Sequence, residues 1–268
     1  MIKKIINAYR DRNKETKEKK PVFMYNSGCK EKYVDESMID ALEDISGNVI
    51  DLVGARLLRN DGKSILYIKS RKFPCDNITI MSATIDPVLY EKLLDKEVNF
   101  YECKEAKYRG KVHVYTDSTY SRDALKNSKN KEELMTILKE KTKNDEVITF
   151  QAIENKFNTK HHYGNVEGLN CMEGKDISVI GLPNIHEDVY KLYGMLMGTS
   201  PNEKMTSRRV EYNDHEFYMT TYQNELLRRI QMWFIYSQLE QAVGRARLLR
   251  YDCNVNVYAR FPIDQGIY

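Results

Sequence analysis

The 268-residue chain lacks long apolar runs: the longest covers residues 232–236, where a membrane-spanning helix needs about 18. The first 20 residues carry eight Lys and Arg and no apolar stretch suited to a secretory signal. Both absences predict a soluble, cytoplasmic chain with no membrane partner. A dominant charge is missing as well, since 42 Lys and Arg against 39 Asp and Glu leave +3. That balance excludes an acidic tail protein and argues against a histone-like phosphate binder, but leaves room for a local basic groove. Cys29, Cys75, Cys103, Cys171 and Cys253 form no Cys-x-x-Cys pair, so they read as reduced thiols rather than a disulfide framework or a zinc site. The adjacent His161 and His162 do not have metal-ligand spacing, and no metal site is predicted. Repeats, low-complexity tracts and a Pro-rich linker are absent too.

What is present is an alternation of short apolar strands and amphipathic helices. Residues 1–20 read as a polar, Lys-rich lead, and 37–57 as two short helices around Gly47. Asn60-Asp61-Gly62 marks a turn leading into a strand over 64–68, and 78–81 reads as a buried strand. Further strands are expected at 112–115, 147–150, 177–182 and 255–259, with helices over 131–143 and 187–197. Residues 208–221 read as two strands around Asn213-Asp214. Leu226, Leu227, Ile230, Trp233 and Phe234 share one face of a long helix, which makes Trp233 a core residue. Strands alternating with helices imply an α/β fold with a largely parallel sheet flanked by helices.

Three segments carry chemistry. Gly168 and Gly174-Lys175-Asp176 resemble a phosphate-cradling P-loop only superficially. Five residues separate the glycines where four are required, and Asp176 replaces the hydroxyl that would hold Mg²⁺. No other segment supplies a P-loop. At the end of the long helix, Gln241-Ala-Val-Gly244-Arg245-Ala-Arg247 offers a close-approach glycine and two planar guanidinium forks suited to phosphate oxygens. The same residues also suit a helix C-terminus whose cations complement the dipole. Ser82-Ala83-Thr84, read as following a strand, lies where parallel sheets place their ligand crevice, or forms an ordinary strand-end turn.

Taken in order, these segments resemble the motifs of superfamily 2 helicases. Residues 82–84 are similar to the motif closing the first RecA-like lobe, implying a role for Ser82, Ala83 and Thr84 in coupling ATP hydrolysis to nucleic-acid movement. Val147-Ile-Thr-Phe150 resembles the strand opening the phosphate-contacting motif of the second lobe. Residues 168–177 resemble the next motif, which implies nucleic-acid contacts for Asn170, Gly174 and Lys175 and a ribose contact for Asp176. Residues 241–247 resemble the last motif, with Gln241 and Gly244 at the nucleotide and Arg245 or Arg247 as arginine finger.

The resemblance covers roughly residues 64–262 and implies a RecA-like second lobe over 108–268. Residues 1–86 would be the incomplete tail of a first lobe, and 87–107 a linker. Departures from the pattern are specific. Only Asp35-Glu36 could stand for the family's metal motif, the interval from Phe150 to Gly168 is short by a helix and a strand, and Leu248 stands where the family often has a third arginine.

The implied activity is that of the carboxyl-terminal part of an ATP-dependent helicase or translocase. ATP and Mg²⁺ would be bound mainly by a first lobe, on this or another chain, with single-stranded or unwinding DNA or RNA as partner. Without a P-loop, the chain by itself is expected to hydrolyse ATP negligibly. The alternative is a noncatalytic nucleic-acid-binding module on the same fold. The pairs Arg208-Arg209 and Arg228-Arg229 either extend strand contact or form solvated faces.

Overall fold

A computed structural model describes residues 22–25, 55–60, 65–69, 77–94 and 96–268. The Lys-rich lead, Asp35-Glu36, Cys29, Cys75 and residues 37–54 of the helices expected over 37–57 lie outside the described residues, while residues 55–57 open a strand instead of ending a helix. The first elements are β1 (Val22–Tyr25), β2 (Ala55–Asn60), β3 (Ile65–Lys69), α1 (Pro87–Leu94), β4 (Lys111–Tyr115), α2 (Arg122–Asn127), α3 (Lys131–Lys141) and β5 (Glu146–Thr149). Then come β6 (His161–His162), β7 (Ile177–Ile180), α4 (Glu187–Leu196), β8 (Met205–Tyr212), β9 (His215–Tyr222), α5 (Glu225–Val243), β10 (Asn254–Tyr258) and β11 (Gly266–Ile267). The chain divides into two compact units: Met1–Met81 with His186–Glu203, and Ser82–Ile185 with Lys204–Tyr268.

In the first unit β1, β2 and β3 form an antiparallel sheet in that order. Asn60 stands opposite Ile65, so the turn signal at Asn60-Asp61-Gly62 does join two strands. Leu192 and Met195 of α4 pack on Leu57, with Leu66, Ile68 and Leu196 at the margin. Beside them Arg59 and Asp188 form an ion pair, only 5% and 1% exposed. His186 caps α4, its Nδ1 accepting from the Asp188 N–H at 3.3 Å.

The strand expected at 78–81 is not formed: residues 77–82 join no sheet, and Met81 is 92% exposed. Short apolar runs acquire strand structure only where a neighbouring strand takes up their backbone groups, and none does so here.

The second unit is α/β. Its six strands lie in the order β11-β4-β10-β7-β5-β6, each neighbouring pair parallel. Alternate residues point to opposite faces. Val112, Val114, Ile177, Val179, Val255 and Val257 pack with Ile235, Leu239, Ala242 and Val243 of α5. Val147, Ile180 and Tyr258 instead meet Leu125 of α2 and Met135 and Leu138 of α3. Burial on both faces explains why β7 reads as an unbroken buried run.

The short interval after Phe150 is filled economically, by a 3₁₀ helix (Gln151–Phe157) and the two-residue β6. β8 and β9 make a hairpin whose turn residues Asn213 and Asp214 both have positive φ, 49° and 59°, as a type I′ turn requires. α5 starts at Asn224, whose side chain accepts from the Leu227 N–H at 3.1 Å. Its buried stripe runs through Leu227, Ile230, Ile235, Leu239 and Ala242. Trp233, expected in the core, is half-buried instead.

Candidate functional site

Sheet register decides which loops meet. Lys111 of β4 stands beside Asn254 of β10, Val255 beside Ile177 of β7, and Ile177 beside Glu146 of β5. The segments entering these strands therefore emerge side by side at the amino edge of the sheet. Residues 168–176 lead into β7, 244–253 into β10, and Arg109-Gly110 into β4. Open parallel sheets usually bind ligands at the carboxyl edge, so this gathering of glycines and arginines stands at the opposite one.

Backbone bonds join the two main loops. The Gly174 N–H donates to the Ala246 carbonyl at 3.1 Å. Arg245 is half-buried; its Nε donates to the Gln241 carbonyl at 3.1 Å and its Nη1 to the Leu169 carbonyl at 3.5 Å. Arg247 adopts left-handed backbone, φ 57°, and is exposed, its Nη2 donating to Asn170 Oδ1 at 3.3 Å. The two arginines thus differ in kind. Arg245 ties the loops together through carbonyls, whereas Arg247 presents its guanidinium to solvent.

The other residues of these motifs are placed as follows. Asp176 Oδ1 accepts from the Asn254 N–H at 2.7 Å and from its Nδ2 at 3.4 Å, which fixes the start of β10. Lys175 Nζ donates to Glu146 Oε1 at 2.8 Å, and that carboxylate raises the lysine's pKa. Gln241 is half-buried one turn before Arg245. Gly244 is right-handed, φ −60°, with open space where a side chain would project.

Sequence reasoning missed two neighbours of this edge, Arg109 and Tyr251. The Arg109 N–H donates to the Leu248 carbonyl at 2.9 Å and its Nη1 to the Arg250 carbonyl at 3.2 Å. The next residue, Gly110, approaches Cys253 so closely that a Cβ would lie 2.2 Å from its carbonyl oxygen. An Arg-Gly pair entering a strand was the available signal. Tyr251 donates its hydroxyl to Glu173 Oε1 at 3.0 Å.

Ser82, Ala83 and Thr84 lie elsewhere. The Thr84 N–H donates to Ser82 Oγ at 3.2 Å, a local turn. Trp233 Nε1 donates to the Thr84 carbonyl at 2.7 Å, and Arg229 Nε to Asp86 Oδ2 at 2.6 Å. The segment is therefore fastened to the middle of α5, about 12 Å along the axis from Gln241. Beside it runs a groove of about 630 Å³ lined by Thr84, Pro87, Tyr212, Arg228, Trp233 and Tyr236. Deeper in α5, burial and the Asp264 carboxylate push Glu240 up to about 7.

The arginine pairs each have polar partners. Arg208 donates to Gln223, Arg209 pairs with Glu216, Arg228 with Glu225 and Arg229 with Asp86. Among the described residues no three His, Cys, Asp or Glu gather as metal ligands, and no helix is long and apolar enough to cross a membrane. No family model, curated protein or solved structure matches the chain.

Proposed function

We propose that this chain is the carboxyl-terminal part of an ATP-dependent nucleic-acid helicase or translocase, its parallel sheet serving as a RecA-like second lobe. One observation carries the reading: residues 168–176 and 241–247, far apart in the chain, interlock at one sheet edge through the Gly174–Ala246, Arg245–Leu169 and Arg247–Asn170 bonds. Loops that resemble consecutive helicase motifs are thereby brought into one surface.

In this reading Arg247 is the arginine finger, because it is the exposed one, and Arg245 positions it. Asn170, Gly174 and Lys175 face the strand backbone, giving affinity without sequence readout. Asp176 Oδ2 takes a ribose hydroxyl, and Gln241 and Gly244 border the nucleotide. ATP phosphates and Mg²⁺ rest on a P-loop lobe, on the same polypeptide or another. Ser82, Ala83 and Thr84 transmit lobe movement to α5 through Trp233 and Arg229.

The noncatalytic reading draws on a different observation. The Asp176 and Lys175 side chains already have protein partners, which suits a fixed strand-binding surface as well as a nucleotide site.

The deciding experiment is strand-stimulated ATP hydrolysis, by the chain alone and with a P-loop lobe added. The expected result is negligible turnover alone, turnover with the lobe, and a loss of about 10³-fold or more in Arg247→Ala. Strand binding without lobe-dependent turnover would favour the noncatalytic module. Failure to bind single strands at low salt would refute both.

A further inference from the structure

The arginine loop carries an aromatic ring in an unusual setting. A Cβ placed on Gly174 would lie 3.1, 3.2 and 3.5 Å from Tyr251 Cδ1, Cγ and Cε1. Three neighbouring ring atoms at such similar distances mean that the ring lies face-down on the glycine rather than edge-on. Gly174 has φ +72°, so both its backbone and its lack of a side chain serve this contact. The rim is fixed as well, by the hydroxyl's bond to Glu173 and the Tyr251 N–H donating to the Arg247 carbonyl at 3.2 Å.

A ring held this firmly is normally buried, yet Tyr251 is 41% exposed. Among the described residues no other ring stacks on it and no cation sits over it. Leu249, two positions earlier, is 51% exposed, and the same loop carries the exposed cations Arg247 and Arg250, the latter 4.0 Å from the Glu173 carboxylate that holds the ring's hydroxyl. An immobilised, partly exposed aromatic ring on a loop that also carries two exposed guanidinium groups combines the two elements by which proteins hold single strands without sequence preference: a stacking surface for bases and positive charge for phosphates.

We propose that the outward face of Tyr251 is a stacking platform for a base of a single strand whose phosphates contact Arg247 and Arg250. The proposal rests on the strand-binding reading above and adds a base contact to it. Glu173 and Gly174 are positioning residues for the ring, and Leu249 borders the stacked base.

The test uses the full chain and fluorescein-labelled oligothymidylate or oligouridylate, each compared with the same strand bearing abasic sugars. Wild type should bind the base-bearing strand more tightly than the abasic one. Tyr251→Leu should lose about 5- to 100-fold in affinity for the base-bearing strand and little for the abasic strand. Tyr251→Phe, which keeps the ring, should retain most of the wild-type preference. Arg247→Ala should weaken both strands alike.

If Tyr251→Leu weakens neither strand, or both equally, the stacking proposal is overturned while strand binding stands. If wild type binds base-bearing and abasic strands equally, the proposal is overturned without recourse to any variant. If wild type binds no strand, the strand-binding reading fails and the platform with it.

Discussion

Gly174 and Gly244 occupy facing halves of the amino-edge site, and the structure assigns them opposite responses to the same substitution. At Gly174 an alanine must adopt φ near +72°, which costs about 1–2 kcal/mol for a residue with a Cβ. That Cβ also meets the Tyr251 ring at 3.1 Å, and the ring cannot retreat freely because its hydroxyl is tied to Glu173. Gly244 has φ −60° and open space around it, so alanine there gains up to about 1 kcal/mol from helical propensity. Gly174→Ala and Gly244→Ala should therefore differ by about 2–3 kcal/mol, read from the midpoint and slope of urea unfolding. A neutral Gly174→Ala would refute the left-handed loop beneath the ring. A Gly244→Ala loss above about 1 kcal/mol would refute the open right-handed geometry. Because Gly244→Ala leaves the fold intact, any accompanying loss of strand affinity or turnover reports a ligand approaching that backbone.

Two further predictions concern buried charge. Glu240 is raised from its ordinary 4.5 to about 7, first by burial and then by Asp264, so the folded chain holds its proton more tightly than the unfolded one. Stability must then fall as pH rises from about 4.5 to about 7, by roughly 3 kcal/mol at the linkage limit. Glu240→Gln should flatten that slope and be the more stable protein at pH 8, as measured by unfolding midpoint against pH; an unchanged slope would refute the assignment. In the first unit, Arg59→Met should cost about 3–5 kcal/mol by leaving the buried Asp188 carboxylate with only the exposed His186 ring beside it, and adding Asp188→Leu should recover most of that loss. Thermal unfolding of the two variants checks both steps.

Much of the α/β unit was legible because its strands are buried on both faces and its helices are amphipathic. The expected strands at 112–115, 147–150, 177–182 and 255–259 correspond to β4, β5, β7 and β10. Asn213-Asp214 announced its hairpin because few residues other than Asn, Asp and Gly tolerate two successive positive φ values. The expected strand at 78–81 fails for the complementary reason: periodicity describes a segment, while strand formation needs a partner that the segment does not encode.

At the site, the sequence could identify 168–176 and 241–247 as chemically distinctive but not distinguish Arg245 from Arg247. That distinction depends on the Leu169 carbonyl, which only the register of β7 against β10 brings within reach. Tyr251 was hidden among 19 tyrosines; what sets it apart is the glycine beneath it, 77 positions away.

The contact between Trp233 and Thr84 has a practical consequence. Trp233 is the chain's single tryptophan, and its indole N–H is bonded to the backbone of the Ser82-Ala83-Thr84 segment while its ring meets Tyr90 edge-on at 6.1 Å. Indole emission depends on hydrogen bonding and solvent access, so the protein carries a native optical gauge on that attachment. Release of the segment from α5 would register as a spectral shift from one known chromophore, with no label introduced and no second indole to obscure it.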